Sequence, residues 1–278
     1  MSFRKLADLF IDVSLRTKKL NTYRLHKYLL QSFCDHIGKR RVSDLKVLHV
    51  TEWLGKQKWN QSTACSARSA LLACLNWGVN EGRIDRHPMT KLKRGTHKRR
   101  ERIFTIEERE RIRKQVRPDF RDFLFALEQT GTRPFSERAT ITASMVDWAT
   151  NTITLKEHKN DGKGTSRTIY LTPAMVELLK KLSESNPIGL LFRNSRDGIW
   201  TSHDATRRLH YATDKLGIPR GSLYAYRHAM INDSLAKGMT ADGIAELVGN
   251  SAITIARHYS HLSQKREAML EAAKRAVA

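Results

Sequence analysis

Cysteine is scarce in this sequence, with three in 278 residues, and Cys34, Cys65 and Cys74 show no Cys-x-x-Cys spacing. An odd, scattered set excludes a disulfide framework. It predicts reduced packing residues in a cytosolic protein. Long apolar runs are lacking as well. No stretch of eighteen apolar residues occurs, so no membrane-spanning helix is expected. The opening MSFRKLADLF lacks the unbroken apolar segment of a secretory signal; Leu6, Leu9, Phe10 and Val13 instead repeat as one side of an amphipathic helix. Neither paired carboxylates nor His and Cys stand at metal-ligand spacing, so no metal and no other cofactor is expected. Acidic residues are the last shortage: 28 Asp and Glu stand against 50 Lys and Arg.

That imbalance is the strongest global feature of what is present. The formal charge is +22 and the sequence pI about 10.2. Such a field attracts polyanions, and a nucleic acid, DNA or RNA, is the expected partner. A membrane surface is disfavoured because no strongly amphipathic basic helix stands alone. The expected location is the cytoplasm. The charge is unevenly spread: residues 1–100 hold 22 basic and 7 acidic side chains, residues 101–278 hold 28 and 21. With 40% hydrophobic residues, the chain has core material for one large domain or two ordinary ones.

The first ninety residues read as helices. NTYRLHKYLLQSFCDHIG spaces Tyr23, Leu25, Tyr28, Leu29 and Phe33 helically, with Asn21 or Thr22 as cap and Gly38 as stop. STACSARSALLACLNWGVNEG is a second long helix closed by Gly82, and HVTEWLGKQ a shorter one between them. KLKRGTHKRRER, residues 91–102, is almost devoid of apolar side chains. It reads as an interdomain linker on a phosphate backbone, through Lys91, Lys93, Arg94, Lys98, Arg99 and Arg100, against the plainer alternative of a solvated tail. Thr105 and Glu108 form a capping box that starts the next helix, and DFRDFLFALEQTG follows it. The period then changes: NTITLKE and SRTIYL alternate like strands around the turn-rich NDGKGT, a β-hairpin. Helices resume at Thr172–Pro173 and after Ser202. The fold class is therefore mainly α with a small antiparallel β-sheet. Trp53, Trp59, Trp77, Trp148 and Trp200 are read as core or interdomain packing.

Metal-free cleavage of a phosphodiester requires a nucleophile, cationic donors on the non-bridging oxygens, and an acid for the leaving oxygen. Arginine suits the second task because its planar fork binds two phosphate oxygens at once. Arg133 in TGTRPFSE and Arg227 in LYAYRHAMIN stand beside helix boundaries. Taken singly, each reads as an ordinary surface or salt-bridging arginine.

TGTR, LYAYRH and LVGNSAITIARHYSHL, in this order and at these separations, resemble the catalytic domain of the tyrosine recombinases, also called the phage integrase family. That family carries a Thr-Gly-x-Arg segment, a hairpin lysine, a His-x-x-Arg segment and a Leu-Gly-His segment, with a tyrosine nine residues beyond the last histidine. Here Asn250 plus nine is Tyr259. The resemblance covers roughly residues 104–278. Residues 1–90 are more weakly similar to the family's helical, SAM-like core-binding domain, so the implied organisation is 1–90 core-binding, 91–103 linker and 104–278 catalytic.

The resemblance implies roles. Tyr259 matches the nucleophile that forms a 3′-phosphotyrosine, and Arg133 with Arg227 the clamp on the scissile phosphate. Lys159 matches the lysine that protonates the 5′-oxygen, with Lys163 in the turn as the rival. Glu137 is expected to orient Arg133 and His228 to brace the site; of His258 and His261, at most one can assist Tyr259. Tyr224 and Asn250 stand where the family usually has histidines. Both can donate a hydrogen bond to phosphate, but neither shuttles protons near neutral pH as imidazole does. The acidic residue expected three places after Arg133 is displaced by one, to Glu137, with Ser136 in its place. The implied activity is site-specific recombination without ATP or metal, in a synapse of four protomers formed from a free monomer or weak oligomer. The C-terminal SQKREAMLEAAKRAVA either docks on a neighbour or packs on its own domain. Two other readings stand beside this one: a DNA-binding protein without catalysis, in which 226–259 is a helix–turn–helix, and a topoisomerase relaxing single duplexes.

Overall fold

The computed structural model describes residues 1–96, 102–155 and 166–263, without the side chains of 258–263. The chain divides into two compact units, Met1–Arg100 and Glu101–Ala278.

The first unit is built from four helices, α1 (Phe3–Thr17), α2 (Leu20–Ile37), α3 (Val47–Gly55) and α4 (Gln61–Asn80). Capping is local and chemical. The Ser2 hydroxyl accepts from the Lys5 amide, and the Asn60 side chain accepts from the Thr63 amide, each satisfying an orphan donor of the first turn. Helix α2 starts earlier than its polar residues suggest, at Leu20 after Lys19, with no side-chain cap, so neither Asn21 nor Thr22 caps it. Phe3, Leu6, Phe10, Leu29, Leu30, Phe33, Trp53, Leu71 and Leu75 fill a single core. Each large side chain buried this way stabilises the unit by about 1.5–3 kcal/mol before entropy is counted. Gly78 lies inside α4 because α1 approaches there: a Cβ would meet Leu6 Cδ1 at 2.8 Å. All three cysteines are free and buried, and burial pushes the Cys34 thiol up to about 11.

In the second unit, α5 (Ile106–Gln115) opens with the Thr105–Glu108 capping box, and α6 (Pro118–Thr130) has proline in its first turn. Strands β1 (Val146–Asp147), β2 (Thr152–Leu155) and β3 (Arg167–Tyr170) form an antiparallel sheet in that order, with Ile153 opposite Ile169. β1, only two residues long, is outside the sequence-based reading. Helices α7 (Pro173–Ser185), α8 (Ser202–Lys215), α9 (Tyr224–Ala236), α10 (Ala241–Val248) and α11 (Ala252–Ser263) complete the unit. The fold class is therefore as expected, mainly helical with one small antiparallel sheet.

Helix α6 is the centre of this unit. Phe120, Phe123, Leu124 and Leu127 pack with Ile141, Ile153, Ile169, Trp200, Leu209 and Tyr226. A second cluster, Ile231, Ile244, Ala245, Val248 and Ile255, joins α9, α10 and α11. Arg109 links helices electrostatically, reaching Asp233 on α9 at 2.7 Å and Glu128 on α6 at 3.4 Å. Trp53 and Trp200 are buried and Trp59 and Trp77 partly so, but Trp148 is 40% exposed and packs in no core, which corrects the expectation for that residue. It follows β1 directly, where Asp147 accepts from the amides of Ala149 and Thr150 and turns the chain outward.

Candidate active site

The site is assembled from three chain reversals. Helix α6 ends at Gly131, which adopts the left-handed conformation at φ +57° that glycine tolerates best. Space also demands glycine there, since a Cβ would stand 3.0 Å from Met230 Sδ and Val248 Cγ1. The turn after α6 is thereby pressed against α9 and the end of α10. Arg133 follows two residues later, buried.

Arg133 and Glu137 form a closed pair. The Arg133 backbone amide donates to Glu137 Oε2 at 2.9 Å, and its Nη1 donates to Oε1. The extra residue between them is absorbed by a turn in which the amides of Glu137 and Arg138 both donate to the Arg133 carbonyl. Arg133 Nη2 donates to the Gly249 carbonyl at 2.7 Å. A guanidinium has five N–H donors, so this pairing fixes its plane while leaving donors for an anion. Arg227, in the first turn of α9 and also buried, donates through Nη1 to the Gly131 carbonyl at 2.6 Å. The two arginines thus tie the turn after α6, the start of α9 and the α10–α11 turn into one constellation.

The α10–α11 turn carries Asn250. Gly249 is left-handed at φ +63°, and the Asn250 amide donates back to Ala245 O at 2.8 Å. Half-buried Asn250 accepts through Oδ1 from the Ser251 amide. The Ser251 hydroxyl accepts from the Thr254 amide and starts α11, on which Tyr259 lies. Tyr224 opens α9 and is 38% exposed, one turn before Arg227; His228 is half-buried beside it. Of the remaining expected residues, Lys159, Lys163, Lys98, Arg99 and Arg100 lie outside the described residues, as do the side chains of His258, Tyr259 and His261. Lys91, Lys93 and Arg94 are exposed on the first unit, where Thr96 accepts from Gln61 Nε2 and holds the segment near α4.

Two buried arginines were not among the expected site residues. Arg138 is fully enclosed, donating to Thr130 Oγ1, Thr132 Oγ1 and Ala126 O, with its guanidinium 5.0 Å from the Phe192 ring centroid. Burial pushes its pKa down to about 9, opposed by the charge of Glu137. Arg167 opens β3 and reaches the last carbonyls of α10. A signal for it exists in the sequence, since Arg167 shares its inward register with Ile169. Among the described residues, no group of three or more His, Cys, Asp or Glu could hold a metal ion, and no helix is long and apolar enough to cross a membrane.

Comparison with known proteins agrees on a family. The family model described as "Phage integrase family" matches residues 93–266. Among solved structures, the Tn1549 transposon integrase in complex with a circular intermediate DNA is similar with a TM-score of 0.82 and 14% identity over 99% of each chain. A lambda integrase dimer bound to a COC′ core site gives 0.73 and 16% identity, covering 95% of this chain and 79% of that one. A lambda integrase tetramer bound to a Holliday junction gives 0.71 and 15%, covering 90% and 78%. At these identities the likeness is one of fold. No curated protein matches the chain.

Proposed function

We propose that this chain, which belongs to the phage integrase family, is a site-specific DNA recombinase acting through a covalent 3′-phosphotyrosine. The observation that carries the proposal is the placement of Arg133 and Arg227. Both are buried, and each donates to the carbonyl of a left-handed glycine in a turn of the site, Gly249 and Gly131. Two arginines held this way are preorganised for one phosphate, with no reorganisation needed as charge develops.

In the proposed reaction the Tyr259 phenolate oxygen attacks the scissile phosphorus and the P–O5′ bond breaks. Lys159 gives its proton to the departing 5′-oxygen, and Arg133 and Arg227 hold the non-bridging oxygens. In the second transesterification the free 5′-hydroxyl of another strand attacks the phosphotyrosine and gives its proton back to Lys159, while the P–O bond to Tyr259 breaks and releases the phenolate. The phosphodiester energy stays in the tyrosine link throughout, so no nucleotide is consumed. Tyr224 and Asn250 would supply hydrogen bonds to phosphate in place of imidazoles. The proposed organisation is a core-binding domain over 1–90, a basic linker over 91–103 and a catalytic domain over 104–278, closing on double-stranded DNA. Four protomers would form the synapse, as the lambda integrase tetramer on a Holliday junction suggests by its fold.

DNA binding without catalysis is favoured by one observation, Tyr224 and Asn250 standing where the family usually has histidines, since neither shuttles protons near neutral pH. Incubation with a nicked suicide substrate decides between the readings. The recombinase reading expects a protease-sensitive covalent protein–DNA band on a denaturing gel. Retarded DNA under native conditions with no such band would establish a binder.

A further inference from the structure

Arg167 is the first residue of β3, and strand alternation turns it inward with Ile169, leaving it 6% exposed. A charged side chain in an apolar register needs compensation. Arg167 finds it at the end of α10. Nη1 donates to Glu246 O at 2.9 Å and to Thr168 O, and Nη2 donates to Leu247 O. The Glu246 and Leu247 carbonyls lie in the last turn of α10, at the negative end of its dipole, and Glu246 O accepts from the Gly249 amide as well, at 3.2 Å. The next residue but one after Leu247 is Gly249, whose missing Cβ makes room for this side chain: a methyl there would collide with Arg167 Nε. Arg133 holds the Gly249 carbonyl from its own side. The reversal that launches α11 is therefore fastened between two guanidinium groups, one belonging to the phosphate clamp and one to the hairpin.

We propose that Arg167 is a positioning residue that sets where α11 begins, and through α11 the placement of Tyr259 against the phosphate. The inference rests on the reading of Tyr259 as the nucleophile. A lysine at 167 would keep the charge but could not bridge two carbonyls with a planar fork. The role differs from plain stabilisation, because loosening the anchor leaves the clamp and the DNA-binding surface in place while shifting the attacking group. Misplacement by about 1 Å is enough to slow a reaction on the order of a hundredfold.

The test compares wild type with Arg167→Lys at saturating DNA. Covalent adduct formation is expected to slow by roughly 10- to 100-fold, with the DNA dissociation constant changed by less than about threefold. A substrate with a 5′-bridging sulfur, which leaves without protonation, is expected not to restore the rate, because the defect lies in attack. Hydrogen exchange reads the anchor without chemistry: amides 250–255 should exchange at least about tenfold faster, with those of α6 unchanged. An unchanged rate and unchanged exchange would overturn the proposal, as would full rescue by the sulfur substrate. If Arg167→Lys does not fold, Arg167→Gln carries the same test, since a single amide cannot span both α10 carbonyls, and normal exchange at 250–255 would overturn it. Should wild type form no adduct, the recombinase reading falls, while exchange still decides what Arg167 holds.

Discussion

Arg133, Arg138, Arg167 and Arg227 are all buried, yet their charges meet different partners. Arg133 faces a carboxylate, Arg138 faces hydroxyls and a carbonyl, Arg167 a helix terminus, and Arg227 a carbonyl at the head of the site. Two of these environments predict opposite phenotypes. Arg138→Ala would remove a fully buried side chain, its bonds to Thr130, Thr132 and the Ala126 carbonyl and its packing on Phe192, leaving a cavity and costing on the order of 3 kcal/mol. Urea unfolding should show that loss, while the DNA affinity of the remaining folded protein stays normal. Arg227→Ala should instead slow adduct formation by about two to three orders of magnitude through lost stabilisation of developing charge. Its unfolding midpoint should move far less than that of Arg138→Ala. Equal midpoint shifts for the two variants would contradict the division between a structural and a clamping arginine.

At the scale of elements, what the sequence makes legible is local chemistry. The Thr105–Glu108 capping box, the Thr172 cap before Pro173, and the alternation of β2 and β3 each follow from neighbours in the chain. Features set by partners far along the chain are not legible this way. β1 exists because Val146 and Asp147 find β2, and two residues carry no period. α2 begins at Leu20 without a side-chain cap, and its buried residues start only at Leu29, so no local chemistry marks its first turn. The candidate site divides along the same line. Arg133, Arg227 and Tyr259 could be named from ordered motifs; Arg138 could not, and for Arg167 the strand register gives an inward side chain but not its contact to Leu247. Gly131 tests the tightest junction between elements. Gly131→Ala would pay about 1–2 kcal/mol for the left-handed backbone, with more for crowding Met230 and Val248. Thermal unfolding should fall accordingly; a variant as stable as wild type would show that α6 and α10 can separate without cost.

For the whole molecule, the net charge of +22 predicts association governed by counterion release. Lys91, Lys93 and Arg94 are exposed cations at the end of the first unit. Replacing all three by alanine should lower the slope of log affinity against log salt by roughly 2–3, with little change in sequence preference. An unchanged slope would make this segment solvated surface.

In the proposed function the charge, the arginine clamp and the α10–α11 turn serve one covalent step at Tyr259. Trapping the complex on a suicide substrate, digesting with nuclease and trypsin, and sequencing the modified peptide by mass spectrometry tests it most directly. A residual nucleotide is expected on the peptide HYSHLSQK, residues 258–265, attached to Tyr259. Attachment at another residue, such as the exposed Tyr211 or Tyr224, or a trapped complex with no covalent nucleotide, would contradict it.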